Sequence, residues 1–288
     1  MTDSEQTGQP GLARRVLRGG AAPVKGGLRR GFRGAVRLTA HDDTFGATTR
    51  RSLVLAPHPD DETIGCGATI ARKRSSGTDV RVVLATDGRF SHQSAVLSAD
   101  DIAGVRAAEF AEACTRLGVD DSERVSLGFQ EGTLGRRLEE VAALLRRQID
   151  DFAPDEVLVT SSLDWHDDHR MLSRALRLAV GRLERPPVVR EYPVWAWADG
   201  PWSNPPGRSA VRSAVDLVVE PVAAWRAAGA TYVRTGPHLA RKRHALDAYR
   251  SQLTNLTGEP EWATFDERFL HLFLGDRETF LTPTWEEK

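Results

Sequence analysis

Two short clusters of histidine and aspartate, at residues 57–62 and 164–169, carry the residue types that metal and proton chemistry need. The first reads Pro-His-Pro-Asp-Asp-Glu and the second reads Asp-Trp-His-Asp-Asp-His. Each cluster follows a short apolar run that predicts a buried strand. Core packing explains neither cluster well, because aspartate is rarely buried without a partner. The two clusters therefore indicate a site for a metal ion or for proton transfer.

The spacing within the clusters is suited to a catalytic zinc site. His58 and Asp61 are three residues apart where a helix begins, so both side chains can point the same way. Asp60 lies between them and projects differently, close to a metal but free of it. His166 and His169 are again three apart. Catalytic zinc usually takes three nitrogen or oxygen ligands and leaves a position for water, and His58, Asp61 and His169 would supply such a set.

Hydrolysis is one reaction that such a site can support. An amide, for example, resists water because water is a weak nucleophile and an amine is a poor leaving group. Zinc lowers the pKa of its bound water to ~7 and polarises the acyl carbonyl. Asp60 would take the water proton and pass it to the departing amine. A protonated His166 opposite the metal would stabilise the developing negative charge.

Alternating strands and helices must position these side chains. Short apolar runs predict four strands, at residues 52–56, 80–85, 125–129 and 156–160. Periodic segments predict a helix after each strand, at residues 61–75, about 100–117, 137–151 and 169–183. The alternation predicts an α/β fold, a Rossmann-like and mostly parallel sheet with helices on both faces. Ligands of such sheets bind outside the carboxyl ends of the strands, where both clusters fall.

The pattern is weaker after residue 186. It predicts strands at residues 188–195 and 214–219 and a last helix from about residue 236 to residue 252. We therefore expect residues 49–288 to form a single α/β catalytic domain.

The N-terminal segment has a different composition. From Gly11 to Ala40 it carries eight basic residues and no acidic one, and glycines interrupt it. Because glycine-rich charged segments rarely pack, residues 1–48 are predicted to form a flexible basic arm. A patch for anionic lipid, nucleic acid or a partner is the alternative. The segment has no apolar core of the kind that a secretory signal needs.

Whole-chain composition bounds the classes of function. The net charge of −1 gives no electrostatic reason to expect nucleic-acid binding. Cys66 and Cys114 are too few for a disulfide scaffold, so a reducing cytoplasm is the expected compartment. No apolar run approaches the ~20 residues that cross a bilayer. A homo-oligomer remains open.

The two clusters, with the residues around them, resemble the signatures of the LmbE-like, or PIG-L, family of zinc N-deacetylases. Residues 56–62 are similar to the first signature, and residues 166–169 to the second. Further similar segments are Thr86-Asp87-Gly88, the Arg106 and Glu109 pair, and Tyr249-Arg250-Ser251-Gln252. The resemblance covers roughly residues 50–255.

The resemblance implies roles for six residues. His58, Asp61 and His169 would bind Zn2+, and Asp60 would be the general base. His166 would stabilise the oxyanion, and Asp168 would orient and tune His166 through a hydrogen bond. The implied activity is zinc-dependent removal of an N-acyl group, typically acetyl, from a small amino sugar or a sugar-containing conjugate.

Other functions and other candidate residues stay open. An amidase for a larger acyl group or a thiol-sugar conjugate would use the same chemistry. A non-catalytic module that binds a nucleotide or sugar is a second alternative, but this sequence lacks the Gly-x-Gly-x-x-Gly turn expected after the first strand. An iron oxygenase is a third, but such enzymes usually have an all-β fold. Asp164 and Asp167 are expected to be exposed or capping residues. Substrate contact remains open for Glu131, which stands where the family often has Asp, for His92, and for the segment from Trp195 to Trp202.

Overall fold

The computed structural model describes residues 22–181, 183–201 and 229–283. Its strands are β1 (His41–Asp42), β2 (Ser52–Ala56), β3 (Val80–Thr86), β4 (Arg124–Phe129), β5 (Glu156–Thr160), β6 (Val188–Tyr192), β7 (Thr231–Arg234) and β8 (Arg277–Phe280). Its α-helices are α1 (Ala22–Thr39), α2 (Thr44–Thr49), α3 (Asp61–Ser75), α4 (Ala99–Leu117), α5 (Leu138–Phe152), α6 (Asp167–Val180), α7 (Trp195–Asp199), α8 (His238–Leu246), α9 (Arg250–Leu253) and α10 (Glu267–His271).

The main sheet is parallel, with strand order β4-β3-β2-β5-β6. The central strands β2 and β5 are buried along their whole length, as their nearly continuous apolar sequences predict. The order reverses between them, since β3 and β4 continue to one side of β2 whereas β6 lies beyond β5. A crevice forms at such a switch point, outside the carboxyl ends of the strands. The two His/Asp clusters follow β2 and β5, so both open on this crevice.

Alternating side chains of the strands face two hydrophobic layers. Val54 packs on one face with residues from α3, α4 and α8. Leu53 and Leu55 point to the other face and pack with residues from α5 and α6. Helices thus cover both faces of a parallel sheet, and the predicted Rossmann-like α/β fold is confirmed.

Helix α3, which carries Asp61, is kinked, and a buried ion pair lies at the kink. Cys66 has non-helical dihedral angles (φ −143°, ψ 22°). Lys242 Nζ donates to Ile64 O at 2.8 Å, before the kink, and Glu278 accepts from Ala68 N at 2.9 Å, after it. Lys242 and Glu278 also pair with each other at 2.7 Å. Lys242 thus places a cation at the carboxyl end of the first half of α3, and Glu278 places an anion at the amino end of the second half. Each charge stabilises the helix end that it contacts.

The described part of the predicted N-terminal arm is packed rather than flexible. Phe32 and Val36 on α1 are buried in the core. Arg33 Nη1 donates to Trp197 O at 2.8 Å, and Arg29 pairs with Asp199 at 3.2 Å. Residues on α1 thus contact the rest of the fold, whereas a flexible arm was expected over residues 1–48. The glycines in this segment obscured the helical spacing of Phe32 and Val36, which are four residues apart. Residues 1–21 lie outside the described part.

The C-terminal part departs most from the predictions. Strand β6 ends at Tyr192, and α7 follows where the strand was expected to continue. The expected last helix is divided into α8 and α9. Strands β1, β7 and β8, which form a second, three-stranded sheet, were not predicted. The strand expected at residues 214–219 lies outside the described residues. Within the described ranges, every helix is too short or too polar to span a bilayer.

Gly65→Ala should destabilise the protein, because α3 packs closely on a buried tyrosine. The new Cβ would lie 2.1 Å from the Cδ2 atom of Tyr192. That ring is fixed by the hydrogen bond that its hydroxyl donates to Leu55 O, at 2.7 Å. Overpacking of this kind costs about 1–3 kcal/mol, which denaturant-induced unfolding would measure.

Gly104→Ala is the matched control, a Gly-to-Ala change inside the helix α4. No atom lies within 4 Å of its new Cβ, and the residue is exposed. Its free energy of unfolding should rise by roughly 0.4–1 kcal/mol. Equal stabilities of the two variants would contradict the packing described for Gly65.

Candidate metal centre and active site

Donor atoms from both clusters converge at the switch point. His58, His166 and His169 each place a ring nitrogen within 4.8 Å of the others, a group that can hold a metal ion. Asp61 Oδ2 lies 3.2 Å from His58 Nδ1 and 3.3 Å from His169 Nε2. The structure thus brings together the three predicted metal ligands, with His166 beside them.

The surroundings of His169 meet the requirements of a metal ligand. Its Nδ1 lies 2.8 Å from Asp164 Oδ2, and both side chains are fully buried. Its Nε2 is buried and makes no directed hydrogen bond to the described residues. Metal-binding imidazoles commonly use one nitrogen for the ion and the other for a carboxylate. Since buried polar atoms rarely lack a partner, Nε2 fits a metal ion.

Asp61 is held as an anion between the two imidazoles. Burial alone would raise the pKa of Asp61, but the charge of His169, and then the hydrogen bond and charge of His58, hold it below its usual range. The pKa of His169 is raised to about 9, because Asp61 and Asp164 outweigh the effect of burial. A metal ion must displace that proton to bind the ring. An anionic carboxylate between two imidazoles is a donor set that zinc accepts.

Asp60 is buried beside these ligands in a strained conformation. Its φ of 122° and ψ of −29° lie where side-chain-bearing residues rarely occur, at a cost of about 1–3 kcal/mol. Its Oδ2 accepts a hydrogen bond from Arg106 Nη2 at 2.9 Å. Burial, with a smaller contribution from Asp61, raises the pKa of Asp60 to about 7, although Arg106 opposes the shift. Strain and a shifted pKa at one carboxyl group are both typical of an active site.

Asp168 contacts a different histidine from the one predicted. Its Oδ2 lies 3.3 Å from His58 Nε2 and accepts from Gly132 N at 2.7 Å. The side chain turns toward the loop after β4 because the Gly132 N–H is there to bind it. The backbone N–H of Asp168 donates to Nδ1 of His166 at 3.3 Å. In this structure the Asp168 side chain thus contacts His58, whereas the resemblance implied a hydrogen bond to His166.

The backbone hydrogen bond also fixes the protonation of His166. A nitrogen that accepts a hydrogen bond carries no proton, so Nδ1 is bare and a neutral ring carries its proton on Nε2. Burial, with the charges of His58 and His169, holds the pKa of His166 well below its usual value. A neutral His166 would therefore donate from Nε2, whereas the sequence analysis expected a protonated ring.

Asp164, expected to be an exposed or capping residue, is a further candidate for the site. It is buried, and besides His169 it accepts from Val194 N at 3.2 Å and from Ala196 N at 2.7 Å. It thus joins His169 to the first turn of α7. Its place four residues after the buried strand β5, with a histidine five residues later, was the available signal. Asp167, by contrast, is exposed and pairs with Arg170, as expected.

The three remaining candidates have different surroundings. The ring of His92 stacks on Trp262 at 4.1 Å, and burial lowers its pKa to about 4, so it packs as a neutral residue. Glu131 accepts from Phe90 N at 2.8 Å, and its charge helps to raise the pKa of His58. Trp195 precedes Ala196, whose N–H donates to Asp164 beside His169. Trp202 lies outside the described residues.

Asp164→Asn should weaken metal binding by about 10–100-fold, because the ring of His169 would lose its carboxylate partner. Competition with a chromophoric chelator measures the change. Asp167→Asn is the matched control, since the Asp167 side chain is 60% exposed and pairs with Arg170, and among the described residues it contacts none of the candidate metal ligands. Equal affinities for the two variants would contradict the role given to Asp164.

Part of the chain is similar to known proteins in sequence. Residues 53–180 match the family model described as PIG-L: GlcNAc-PI de-N-acetylase. The chain is 35% identical over 158 residues to the 1D-myo-inositol 2-acetamido-2-deoxy-alpha-D-glucopyranoside deacetylase of Mycobacterium sp. (strain KMS), an alignment that covers 46% of this chain and 51% of the relative. The chain thus spans about half the length of this relative.

Solved structures share the fold. The N,N'-diacetylchitobiose deacetylase from Pyrococcus horikoshii has a TM-score of 0.56 at 22% identity, over 83% of this chain and 85% of its own. A teicoplanin deacetylase, solved in a zinc-inhibited form, has a TM-score of 0.56 at 21% identity, over 80% of this chain and 97% of its own. Residues 53–180, which include both His/Asp signatures at the switch point, thus match the PIG-L family model, and the solved structures share the fold.

Proposed function

We propose that the protein is a zinc-dependent hydrolase that removes an N-acyl group from an amino sugar or a conjugate containing one. The observation that carries the proposal is the convergence of His58, Asp61 and His169 next to the buried, strained Asp60. The mycobacterial relative is a deacetylase of an acetamido sugar, which supports the same substrate class for this chain. Both cysteines are free and buried, in agreement with the reducing cytoplasm that we propose as the compartment.

His58, Asp61 and His169 would hold the metal ion. Bound zinc would polarise the acyl carbonyl and lower the pKa of a water molecule in the site. Asp164 and Asp168 would keep the rings of His169 and His58 in the orientation that binding needs. This carboxylate support is common around catalytic metals and preorganises the ligands.

Asp60 would move the proton. Arg106 holds its Oδ2 atom, which leaves Oδ1 to accept the proton of the attacking water and then to give it to the departing amine. Arg106 also donates to Pro59 O, so one guanidinium fixes both the backbone and the carboxylate of the base. The strained backbone at Asp60 persists because these contacts hold it.

His166 would stabilise the oxygen on which negative charge develops. Its Nδ1 accepts the Asp168 backbone N–H, so its Nε2–H is the available donor. The ring lies against His58, with centroids 4.5 Å apart in an edge-to-face arrangement. A preorganised donor contributes substantially to transition-state stabilisation, about 10²–10³ in kcat where one has been removed.

The alternative of a non-catalytic binding module does not account for these features. A binding role would need neither the strained backbone at Asp60 nor the carboxylates behind two histidines. The alternative of a larger acyl group or thiol-sugar conjugate uses the same residues, so the choice depends on the walls of the crevice.

Release of primary amine from a panel of N-acyl amino sugars should require zinc and stop when a chelator is added. Asp60→Asn should bind zinc with unchanged stoichiometry but lose at least about 100-fold in turnover, because the amide cannot accept the proton. A fluorogenic amine assay and metal analysis of the purified proteins measure the two quantities.

Asp167→Asn serves as the control, since it makes the same change on an exposed aspartate in the neighbouring cluster. Amine release that survives the chelator would contradict the metal-dependent mechanism. Near-normal turnover by Asp60→Asn would contradict the assignment of the base.

A further inference from the structure

Four half-buried aromatic side chains form a row of neighbouring rings that starts at His166. The ring of Trp165 lies 5.7 Å from that of His166, and Trp195 lies 4.9 Å from Trp165. Phe269 follows at 5.4 Å from Trp195, and Phe265 at 4.7 Å from Phe269, all between centroids. We call Trp165, Trp195, Phe269 and Phe265 the aromatic row. It begins at the residue that would bind the acyl oxygen.

The aromatic row is fixed relative to the metal centre. Asp164 accepts the N–H groups of the residues on either side of Trp195 and also binds the ring of His169. Trp165 Nε1 donates to Asp199 Oδ2 at 3.1 Å, at the other end of α7. One buried carboxylate thus sets the position of both a metal ligand and the second ring of the row. Such preorganisation is typical of a surface that binds substrate.

Polar residues follow the strands on the other side of β2, and we call them, with Arg106, the polar wall. The sheet order places β3 and β4 on the far side of β2 from β5. Asp87 follows β3, Glu131 follows β4, and Arg106 projects from α4 to Asp60. Hydroxyl groups of a sugar need hydrogen-bond partners of this kind, whereas the rings of Phe265 and Phe269 offer none. The two walls therefore separate a polar amine portion from an apolar acyl portion.

The length of the aromatic row bears on the size of the acyl group. An acetyl group adds one methyl group to the carbonyl carbon, and from His166 that methyl can contact no more than the nearest ring. Each further ring lies 4.7–5.4 Å beyond its neighbour. Burial of apolar surface on these rings stabilises the complex only when the acyl group is long enough to cover them.

We propose, on the basis of the proposed function, that the aromatic row binds the acyl portion of the substrate and selects linear apolar N-acyl groups longer than acetyl. Trp195 and Phe269 are the specificity-determining residues. The sugar or other amine portion lies on the polar wall, near Glu131.

The test is a chain-length series of N-acetyl-, N-butanoyl-, N-hexanoyl- and N-octanoyl-glucosamine, assayed for amine release with the zinc-loaded full chain. For the unmodified protein, kcat/KM should rise from acetyl to hexanoyl. Trp195→Ala and Phe269→Ala should each lower kcat/KM for the hexanoyl substrate by about tenfold or more relative to the acetyl substrate. Trp195→Phe, which keeps a ring, should retain most of the preference.

Phe45→Ala is the control, because this phenylalanine is 86% exposed on α2 and lies outside the aromatic row. It should leave the chain-length profile unchanged. A preference for acetyl in the unmodified protein would overturn the proposal. An equal loss on every substrate in well-folded Trp195→Ala and Phe269→Ala would overturn it as well.

A separate binding measurement distinguishes this proposal from the proposed function. If no substrate releases amine, the proposed function fails, and titration with octanoate and acetate then tests the aromatic row alone. Saturable quenching of tryptophan fluorescence by octanoate but not acetate, weakened in Phe269→Ala, would support the row. That variant keeps every tryptophan. The absence of quenching by octanoate would overturn the proposal that the aromatic row binds an acyl group.

Discussion

The structure depends on the pairing of charged groups that are buried together at the carboxyl ends of β2 and β5. Asp60, Asp61, Asp164, Asp168 and His169 are each at most 5% exposed. An isolated buried charge costs several kcal/mol or more, so these groups persist because each has a partner of opposite charge or a hydrogen-bond donor. The same pairing fixes their geometry. A metal ion among them would add the positive charge that this concentration of carboxylates favours.

Distant C-terminal residues complete this network, which explains why a segment nearly two hundred residues from the first cluster belongs to the same site. Tyr249 donates to Glu62 at 2.6 Å, and Ser251 donates to Glu109 at 2.7 Å. Lys242 and Glu278 lie at the kink of the helix that begins with Asp61. Residues of the second sheet, α8 and α9 therefore contact α3 and α4, the helices that carry Asp61 and Arg106.

The sequence predicted the central sheet and its helices well, because the apolar runs at 52–56 and 156–160 and the periodic helices between them are strong local signals. It also predicted that His58, Asp61 and His169 would meet, since strand order in parallel sheets brings strand ends together. It could not predict which histidine Asp168 contacts, because that depends on the side-chain direction and on the Gly132 N–H. The role of Asp164 likewise depends on α7, a long-range contact, and the packing of α1 depends on two residues among many glycines.

The proposed function requires that His58, Asp61 and His169 bind one metal ion, and His166 lies within reach of the same position. The most direct measurement is a crystal structure of the zinc-loaded protein with anomalous diffraction at the zinc edge. The proposed function predicts one ion with His nitrogens at about 2.0–2.1 Å and an Asp61 oxygen at about 2.0–2.2 Å. An ion bound by His58, His166 and His169 without Asp61, or an ion bound elsewhere, would contradict it.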